Sequence, residues 1–367
     1  MSIGLGIIGL PQSGKTTVFN ALTRGQAETA APQSPGKPNL GIAKVPDPRL
    51  DTLIEMFEPQ RVASAEVQYV DIPAYPEGKD KTQGIGGQML NTLQQSDALL
   101  LVVRSFESPS VPHPEGTVDP YRDLASMRLE LAFSDLAILE RREQRLQKEL
   151  KAAKAGDRDR IRRDGVLITR LKDGLEADTP IREQDLSSDE RRSIADYQFL
   201  TEKPILILFN IGEEQLPTID TLEKEMATRL GRPGVGTAVM CGKLEMELAQ
   251  MDPEEERQFR ESMNAGESGA GRMIRISYNL LGLDSFFTVG PDEVKAWTVT
   301  KSEPASLAAR RIHSDIERGF IRAEVVAYDD LARCGGIAES RRQGLLRSEG
   351  RTYPVQDGDV INFLFNV

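Results

Sequence analysis

The segment Gly9–Thr16 carries the chemistry that the sequence shows most clearly. Its sequence, GLPQSGKT, satisfies the pattern G-x-x-x-x-G-K-[ST] at every position. An apolar run precedes it and residues with helical spacing follow it, which is the context that a phosphate-binding loop requires. A loop of backbone N–H groups that leads into a helix N-terminus offers oriented dipoles to negatively charged phosphates. A chance glycine turn is the alternative, and the flanking strand and helix argue against it.

Each position of this loop has an expected role in holding a nucleoside triphosphate. Gly9 and Gly14 let the backbone curl around the phosphates without a Cβ clash. Lys15 is expected to reach the β- and γ-phosphates, Thr16 to offer its hydroxyl to Mg²⁺, and Thr17 to donate to the α-phosphate. The nucleotide-binding residues predicted in the loop are Pro11, Gln12, Ser13, Gly14, Lys15, Thr16 and Thr17.

Two polar residues that end later apolar runs complete the predicted site. Asp71 ends EVQYVD and is expected to order the water shell of Mg²⁺, with turn capping as its alternative role. Asn210 follows PILILF; its amide is expected to contact the N7 edge of a purine, and Ile211 to pack against the ring. Such folds bind ligands at the carboxyl ends of their strands, where both residues lie. A polar turn that only ends a strand is the alternative for Asn210.

Composition limits the class of protein. The chain has 367 residues and a net charge of −11, which suits two or three globular domains and disfavours indiscriminate binding to nucleic acid or membranes. Only two cysteines occur, Cys241 and Cys334, so neither a disulfide framework nor a cysteine zinc site is expected. No run of about 18 apolar residues occurs, and no basic segment precedes the N-terminal apolar run. A cytoplasmic protein is therefore expected, and its oligomeric state is left open.

Alternation of apolar runs with helical segments predicts an α/β fold with a mostly parallel sheet covered on both faces. The predicted strands are Ile3–Gly9, Glu66–Asp71, Ala98–Arg104, Pro204–Asn210 and Val235–Cys241. The Pro- and Gly-rich residues 26–48 predict a surface loop, and Gly84–Gly87 predict a helix start.

Residues 119–197 interrupt this alternation and predict two antiparallel helices that form a short coiled coil. Apolar residues recur there every seven positions, at Ala132, Leu139, Leu146 and Ala153 and again at Ile161, Ile168 and Leu175. Gly156 and Asp157 predict the turn between the helices. Residues 141–172 hold 12 Lys or Arg against 5 Asp or Glu. This basic hairpin suits a ribosomal or RNA surface, and a solvated charged face is the alternative.

The last 85 residues predict a small mixed α+β module. Its expected strands are Phe286–Gly290, Val294–Thr300, Ile321–Tyr328 and Val360–Val367, with a helix at Pro304–Ile312.

Over nearly its whole length the chain resembles the Obg-like ATPase family of the YchF type. The motifs that carry the resemblance include GLPQSGKTTVFNALT (Gly9–Thr23), PDPRLD (Pro46–Asp51), CGKLEMELAQM (Cys241–Met251) and the ending DGDVINFLFNV (Asp357–Val367). The resemblance implies a P-loop G domain at 1–118 and 198–282, an inserted α-helical coiled-coil hairpin at 119–197, and a β-grasp TGS domain at 283–367. A TGS domain is a second element that would suit a ribosome or RNA partner.

The resemblance also implies the nucleotide. The N-K-x-D motif of ordinary GTPases becomes N-x-x-E at Asn210–Glu213, which removes the guanine preference and implies ATP with GTP tolerated. Glu213, Cys241 and Gly242 match positions beside the base. His113, in VPHPEG, matches a histidine proposed in the family to replace the catalytic Gln, with an ordinary loop histidine as the alternative.

Three departures from the family concern the γ-phosphate switch. Pro35, beside Ser34, stands where the family has a Thr that reaches Mg²⁺. Ala74 stands where the family has a Gly, between Pro73 and Tyr75. The segment TQGIGG (Thr82–Gly87) stands where the family has GEGLGN. Two functions follow as hypotheses: a slow Mg²⁺-dependent ATPase linked to translation or stress, or a nucleotide-binding scaffold with little hydrolysis.

Overall fold

The computed structural model describes residues 4–25, 38–72, 85, 87–262 and 267–366. The chain divides into two compact units. The first comprises Ile3–Gly41 and Gln68–Ala270, and the second comprises Ile42–Val67 and Gly271–Val367. Over the part of the chain that the structure describes, none of the helices combines the length and apolarity needed to cross a bilayer.

The strands of the described residues, in chain order, are β1 (Gly4–Ile8), β2 (Asn39–Lys44), β3 (Arg61–Ala63), β4 (Glu66–Asp71), β5 (Ala98–Ser105), β6 (Ile205–Ile211), β7 (Val235–Met240), β8 (Leu283–Thr288), β9 (Glu293–Thr300), β10 (Phe320–Ala327), β11 (Arg347–Glu349) and β12 (Asp359–Phe365). The helices are α1 (Lys15–Thr23), α2 (Arg49–Phe57), α3 (Gly87–Gln95), α4 (Pro120–Ala152), α5 (Ala155–Glu176), α6 (Ser188–Ile194), α7 (Ile219–Leu230), α8 (Gly242–Leu248), α9 (Pro253–Ser262), α10 (Gly269–Leu280), α11 (Ala305–Ile312), α12 (Ser314–Arg318), α13 (Tyr328–Cys334) and α14 (Ile337–Arg342).

The first sheet has the strand order β2-β4-β1-β5-β6-β7. The strands from β4 to β7 in this order are all paired in parallel: β4 with β1, β1 with β5, β5 with β6 and β6 with β7. All of β1 and β6 is buried, which explains their continuous apolar sequences. The prediction of a parallel α/β fold is therefore confirmed, and each of the five predicted strands is present within two residues of its predicted bounds.

The predicted loop at residues 26–48 is wrong for its second half. Residues 39–44 form β2, an edge strand beside β4 whose side chains are mostly exposed, including Leu40 and Ile42. A strand that forms by edge pairing without a buried apolar face has little periodicity to detect. Residues 26–37, the other part of that loop, lie outside the described residues.

The basic hairpin consists of α4 and α5, which pack against each other. The predicted seven-residue apolar series is buried or half-buried within one cluster, with Leu139 and Ile168 among its most buried members. The predicted turn is wrong by three residues, because Ala153 and Lys154 take extended backbone between the helices and α5 already begins at Ala155. Asp157 then lies in the first turn of α5, where its negative charge is favourable.

The second unit contains a mixed sheet of order β11-β10-β12-β8-β9-β3. The pairs β10–β11, β10–β12 and β8–β9 are antiparallel, whereas β12–β8 and β3–β9 are parallel. Its apolar core includes Phe286, Phe320 and Phe363 and the small residues of α11. The predicted α+β character is confirmed, but the unit also takes in residues 42–67 and 271–282, which lie outside the module predicted at 283–367.

Candidate nucleotide-binding site

The loop between β1 and α1 has the backbone that its glycines predict. Gly9 and Gly14 have φ values of +155° and +90°. A Cβ on Gly9 would lie 2.3 Å from the Val102 carbonyl oxygen, and one on Gly14 would lie 2.2 Å from Nδ2 of Asn210. Both positions therefore require glycine. The loop delivers the chain into α1 at Lys15, so the N-terminal N–H groups of α1 lie where an anion would bind.

Lys15 places its positive charge inside this loop. The residue is 7% exposed, and its Nζ donates to the carbonyl oxygens of Gly9 at 3.0 Å and Leu10 at 2.9 Å. Burial lowers the pKa of Lys15 to about 8, and the nearby Asp71 carboxylate opposes that shift. A buried ammonium held by two neutral carbonyls, with one carboxylate nearby, fits a site built for phosphate.

Thr16 and Asp71 meet as the sequence predicts for a Mg²⁺ site. Thr16 Oγ1 donates to Asp71 Oδ2 at 2.8 Å, and Nδ2 of Asn39 donates to the same oxygen at 3.3 Å. The other carboxylate oxygen of Asp71 is buried and has no hydrogen-bond partner among the described residues. An unpaired carboxylate oxygen beside a hydroxyl supplies hard oxygen donors, so these two residues fit Mg²⁺.

Few protein oxygens are needed to hold Mg²⁺. Within the described ranges, no group of three or more His, Cys, Asp or Glu side chains could hold a metal by itself. Mg²⁺ commonly takes one or two protein oxygens and completes its shell with water and substrate phosphates. The hydroxyl of Ser13 is likewise buried without a partner among the described residues, within the loop that would surround those phosphates.

Asn210 joins two parts of the site. Its Nδ2 donates to the Ser13 carbonyl oxygen at 3.0 Å, and its Oδ1 accepts from the Gly242 N–H at 3.0 Å. Asn210 is 3% exposed, so these bonds are shielded from water. The residue therefore ties the phosphate loop to the turn that starts α8. Its predicted contact with a purine remains a prediction.

The other predicted base contacts lie on both sides of this junction. Ile211 and Cys241 are buried in one apolar cluster, whereas Asn210 points to the opposite face of β6. Gly242 lies tight against Asn210, since a Cβ there would approach its Oδ1 to 2.9 Å. Glu213 is exposed and pairs with Lys243 at 2.9 Å. The structure thus brings Glu213 to the turn that carries Gly242, while the roles of Ile211 and Cys241 towards a base stay predictions.

Two residues beside the loop were missed by sequence reasoning. Arg104, at the end of β5, is 2% exposed; its Nε donates to the Phe106 carbonyl oxygen and its Nη2 to that of Val111. The Arg104 guanidinium also stacks on the Phe106 ring at 4.5 Å, and the ring lies 3.9 Å from where a Gly14 Cβ would be. The signal available in the sequence was an arginine and an aromatic residue at the end of an apolar strand.

His113 is held by other residues. Its Nε2 lies 2.8 Å from an Asp123 carboxylate oxygen, and its Nδ1 accepts from the Glu115 N–H at 3.1 Å. The side chain is 3% exposed. This geometry fixes the loop before α4, and a catalytic role would require one of the two ring nitrogens to leave its partner. The predicted catalytic role of His113 therefore remains a prediction without support from this geometry.

Most of the residues that depart from the family pattern lie outside the described residues, among them Ser34, Pro35, Pro73, Ala74 and Tyr75. Thr82–Gly87 is described only at Ile85 and Gly87.

The fold and the phosphate loop define a P-loop nucleotide-binding protein of the GTPase class. Comparison with known proteins gives the family. The model MMR_HSR1, described as "50S ribosome-binding GTPase", matches residues 4–132, and YchF-GTPase_C, described as "Protein of unknown function (DUF933)", matches residues 283–366.

Full-length relatives agree with these models. The chain is 39% identical to the Ribosome-binding ATPase YchF of Bacillus subtilis (strain 168) and 38% identical to that of Escherichia coli O157:H7, over 100% of both chains in each case. It also matches the structure of the Schizosaccharomyces pombe YchF GTPase with a TM-score of 0.85 and 29% identity, over 99% of this chain and 98% of the other. The chain belongs to the YchF family, as its motifs indicated.

Proposed function

We propose that this protein is a nucleoside triphosphatase that binds ATP with Mg²⁺, accepts GTP alongside it, and hydrolyses it slowly. The observation that carries the proposal is the contact of Thr16 with Asp71 beside the buried Lys15, at the loop that Asn210 closes. The B. subtilis and E. coli relatives are named ribosome-binding ATPases, which supports ATP as the substrate.

The described residues suit binding and charge stabilisation. Lys15 supplies a desolvated positive charge for the β- and γ-phosphates, and the N–H groups of Ser13 to Thr16 supply oriented dipoles. When bound, Mg²⁺ would neutralise phosphate charge and orient the triphosphate, with Thr16 and Asp71 as its protein partners. Positioning of the triphosphate and stabilisation of its developing charge therefore carry the expected rate.

Single-turnover hydrolysis of radiolabelled ATP tests the catalytic part of the proposal. Lys15→Ala is expected to lower the rate by roughly 100-fold, because the transferred phosphoryl group loses its main cationic partner. Lys224→Ala, an exposed lysine on α7, is the matched control and should leave the rate unchanged. A wild-type rate equal to that of Lys15→Ala would favour the scaffold alternative, in which nucleotide is bound and not hydrolysed.

The base preference has a separate experiment. Asn210–Glu213 lacks the Asp that accepts from guanine in N-K-x-D, and Glu213 is instead paired with Lys243. Titration calorimetry of the nucleotide-free protein with Mg·ATP and Mg·GTP should show both binding, with ATP at least as tight. Tighter binding of GTP by more than about tenfold, or 1.4 kcal/mol, would contradict the adenine assignment.

We also propose a cytoplasmic role at the ribosome. The names of the relatives support this partner, and the basic hairpin at 141–172 and the TGS-like module at 283–367 are the proposed contacts. Clustered Lys and Arg bind RNA phosphates with strong salt dependence. Co-sedimentation with ribosomes at low and high salt tests this contact.

A further inference from the structure

The hairpin carries an apolar groove that the nucleotide site does not use. The groove lies between α4 and α5 and has a volume of about 710 Å³. Its lining combines apolar side chains with polar and charged ones. The apolar members are Leu146, Leu150, Ile161 and Val166, beside Gly165. Val166 is 70% exposed, an unusual position for a β-branched apolar residue on a helix.

Gly165 deepens this groove, although the fold of the chain does not require a glycine at this position. It lies in the interior of α5, where glycine costs about 1 kcal/mol relative to alanine. Its φ is not in the left-handed region, and a Cβ there would meet no described atom within 4 Å. Neither backbone conformation nor packing requires glycine, so the open space at Gly165 is available to another molecule.

The charge around the groove restricts what could occupy it. The lining itself is balanced, with two arginines against Glu143 and Asp173, whereas residues 145–163 at the tip of the hairpin hold eight Lys or Arg against three Asp or Glu. A second copy of the same hairpin would bring like charges together. RNA phosphates would meet the arginines and lysines but would present no apolar ridge to the exposed Val166 and the half-buried Leu150. An acidic partner with an apolar stripe matches both features.

We propose that this groove binds an amphipathic α-helix of a partner protein, with its apolar stripe on the groove floor and acidic residues over the hairpin tip. The span from Ile161 to Asp173 corresponds to about 18 Å of helix, so roughly three turns of the partner would fit. Apolar residues at i, i+3, i+4 and i+7 form the stripe that such a groove recognises. The proposal concerns only the hairpin and does not depend on nucleotide hydrolysis or ribosome binding.

The test uses the full-length protein and a defined peptide. The probe is a fluorescently labelled amphipathic helix of about 14 residues, with leucines at i, i+3, i+4 and i+7 and glutamates on its flanks. Two matched peptides replace the leucines with serine or the glutamates with lysine. Fluorescence anisotropy should show saturable binding of the first peptide, and both replacements should weaken binding at least tenfold.

Two glycine variants assign the binding to the groove. Gly165→Leu places a side chain in the groove and raises helix propensity, so the fold should be retained while peptide affinity falls at least tenfold. Gly156→Leu is the matched control, because Gly156 lies in the same helix outside the groove and a Cβ there also meets no described atom within 4 Å. Its peptide affinity should stay within about twofold of wild type. Circular dichroism melting checks that both variants are folded.

Several results would overturn the proposal. They are absence of saturable binding by the leucine–glutamate peptide, equal binding of the serine peptide, and unchanged affinity of Gly165→Leu. Another such result is that an RNA duplex displaces the peptide from the wild-type protein and binds both glycine variants with equal affinity. That result would show that the basic tip binds polyanions by charge alone, without the groove. A change of oligomeric state in Gly165→Leu by sedimentation velocity would instead assign the groove to a second copy of the chain. These outcomes leave the ATPase proposal untouched, since no nucleotide is present.

Discussion

At the scale of single residues, the site depends on a few residues that no other residue type can replace without a clash or a lost hydrogen bond. Gly9 and Gly14 can be nothing else, because a Cβ would overlap the Val102 carbonyl or the Asn210 amide. Asn210 is equally constrained, since its amide donates to the Ser13 carbonyl oxygen in the phosphate loop and accepts from the Gly242 N–H at the start of α8. Loss of one buried partner typically costs about 1–3 kcal/mol, because the remaining group stays desolvated and unpaired.

Replacement of Asn210 by Asp should therefore damage both stability and nucleotide binding. A carboxylate at this position can accept from Gly242 but cannot donate to the Ser13 carbonyl oxygen, which it would repel. We expect the free energy of unfolding to fall by about 2–3 kcal/mol and the nucleotide Kd to rise at least tenfold. Urea unfolding and titration calorimetry measure the two effects.

Asn279→Asp is the control for this substitution, because Asn279 is an exposed residue of α10. It makes the same chemical change and should alter neither quantity by much. If Asn210→Asp retained wild-type affinity, the link between the phosphate loop and α8 would have no role in holding the nucleotide.

At the scale of elements, sequence reasoning worked where burial made the pattern continuous. β1 and β6 are buried along their whole length, so an apolar run was a sufficient signal. β3 has three residues and exists because it pairs with β9, more than 200 positions later in the chain. The hairpin was predicted from its apolar period, but its turn was misplaced because Gly156 does not end a helix here. Gly156 lies instead in the first turn of α5.

The residues of the site were likewise predictable only where the sequence carried a clear pattern. The contact of Thr16 with Asp71 was predictable, because Thr16 ends the phosphate-loop pattern and Asp71 ends a parallel strand beside the one that leads into the loop. Arg104 and Phe106 were not, since their importance arises from a loop that folds back over the end of β5. His113 was placed by resemblance, and its bonds to Asp123 and Glu115 could not be seen without the structure.

A buried carboxylate anchors the hairpin to the segment that leads into β6, and it predicts a pH effect. Asp135 of α4 is fully buried and accepts from the N–H groups of Leu200 and Thr201 and from the Thr201 hydroxyl. Burial raises its pKa to about 6, although these hydrogen bonds oppose the shift. The folded state therefore holds a proton more tightly than the unfolded state, whose carboxyl titrates near 3.8. The contribution of Asp135 to stability should rise as pH falls from about 6 to about 4, and should be constant above that window.

Asp135→Asn isolates this contribution, because an amide does not titrate. The variant should be less stable than wild type at pH 7, since its amide oxygen can accept from one of the two backbone N–H groups but its NH₂ group cannot accept from the other. The stability difference should grow by about 2 kcal/mol between pH 6 and pH 4.5, at about 1.4 kcal/mol per pH unit. Urea unfolding of both proteins at pH 4.5, 6 and 7 measures it, and a difference that stays constant would show that Asp135 titrates normally.

At the scale of the whole molecule, charge is unevenly distributed. The chain carries −11 overall, whereas residues 145–163 are strongly basic. A polyanion such as ribosomal RNA is repelled by most of the surface, so attraction must be concentrated where Lys and Arg cluster. The proposed ribosome contact therefore makes a prediction about position as well as affinity.

Removal of three lysines at the hairpin tip should weaken ribosome association more than removal of three basic residues elsewhere. Lys148, Lys151 and Lys154 are exposed and lie at the end of α4 and the turn that follows. Their joint replacement by Gln should lower the slope of log K against log salt by about 2–3, because fewer counterions are released from RNA. Co-sedimentation with purified ribosomes over a range of salt concentrations measures this slope. The triple replacement of Lys44, Lys224 and Arg232 by Gln, which are also exposed and lie outside both proposed contacts, changes the net charge equally and should leave the slope near wild type. Equal losses in the two triple variants would mean that only net charge matters, and the hairpin would then not be the ribosome contact.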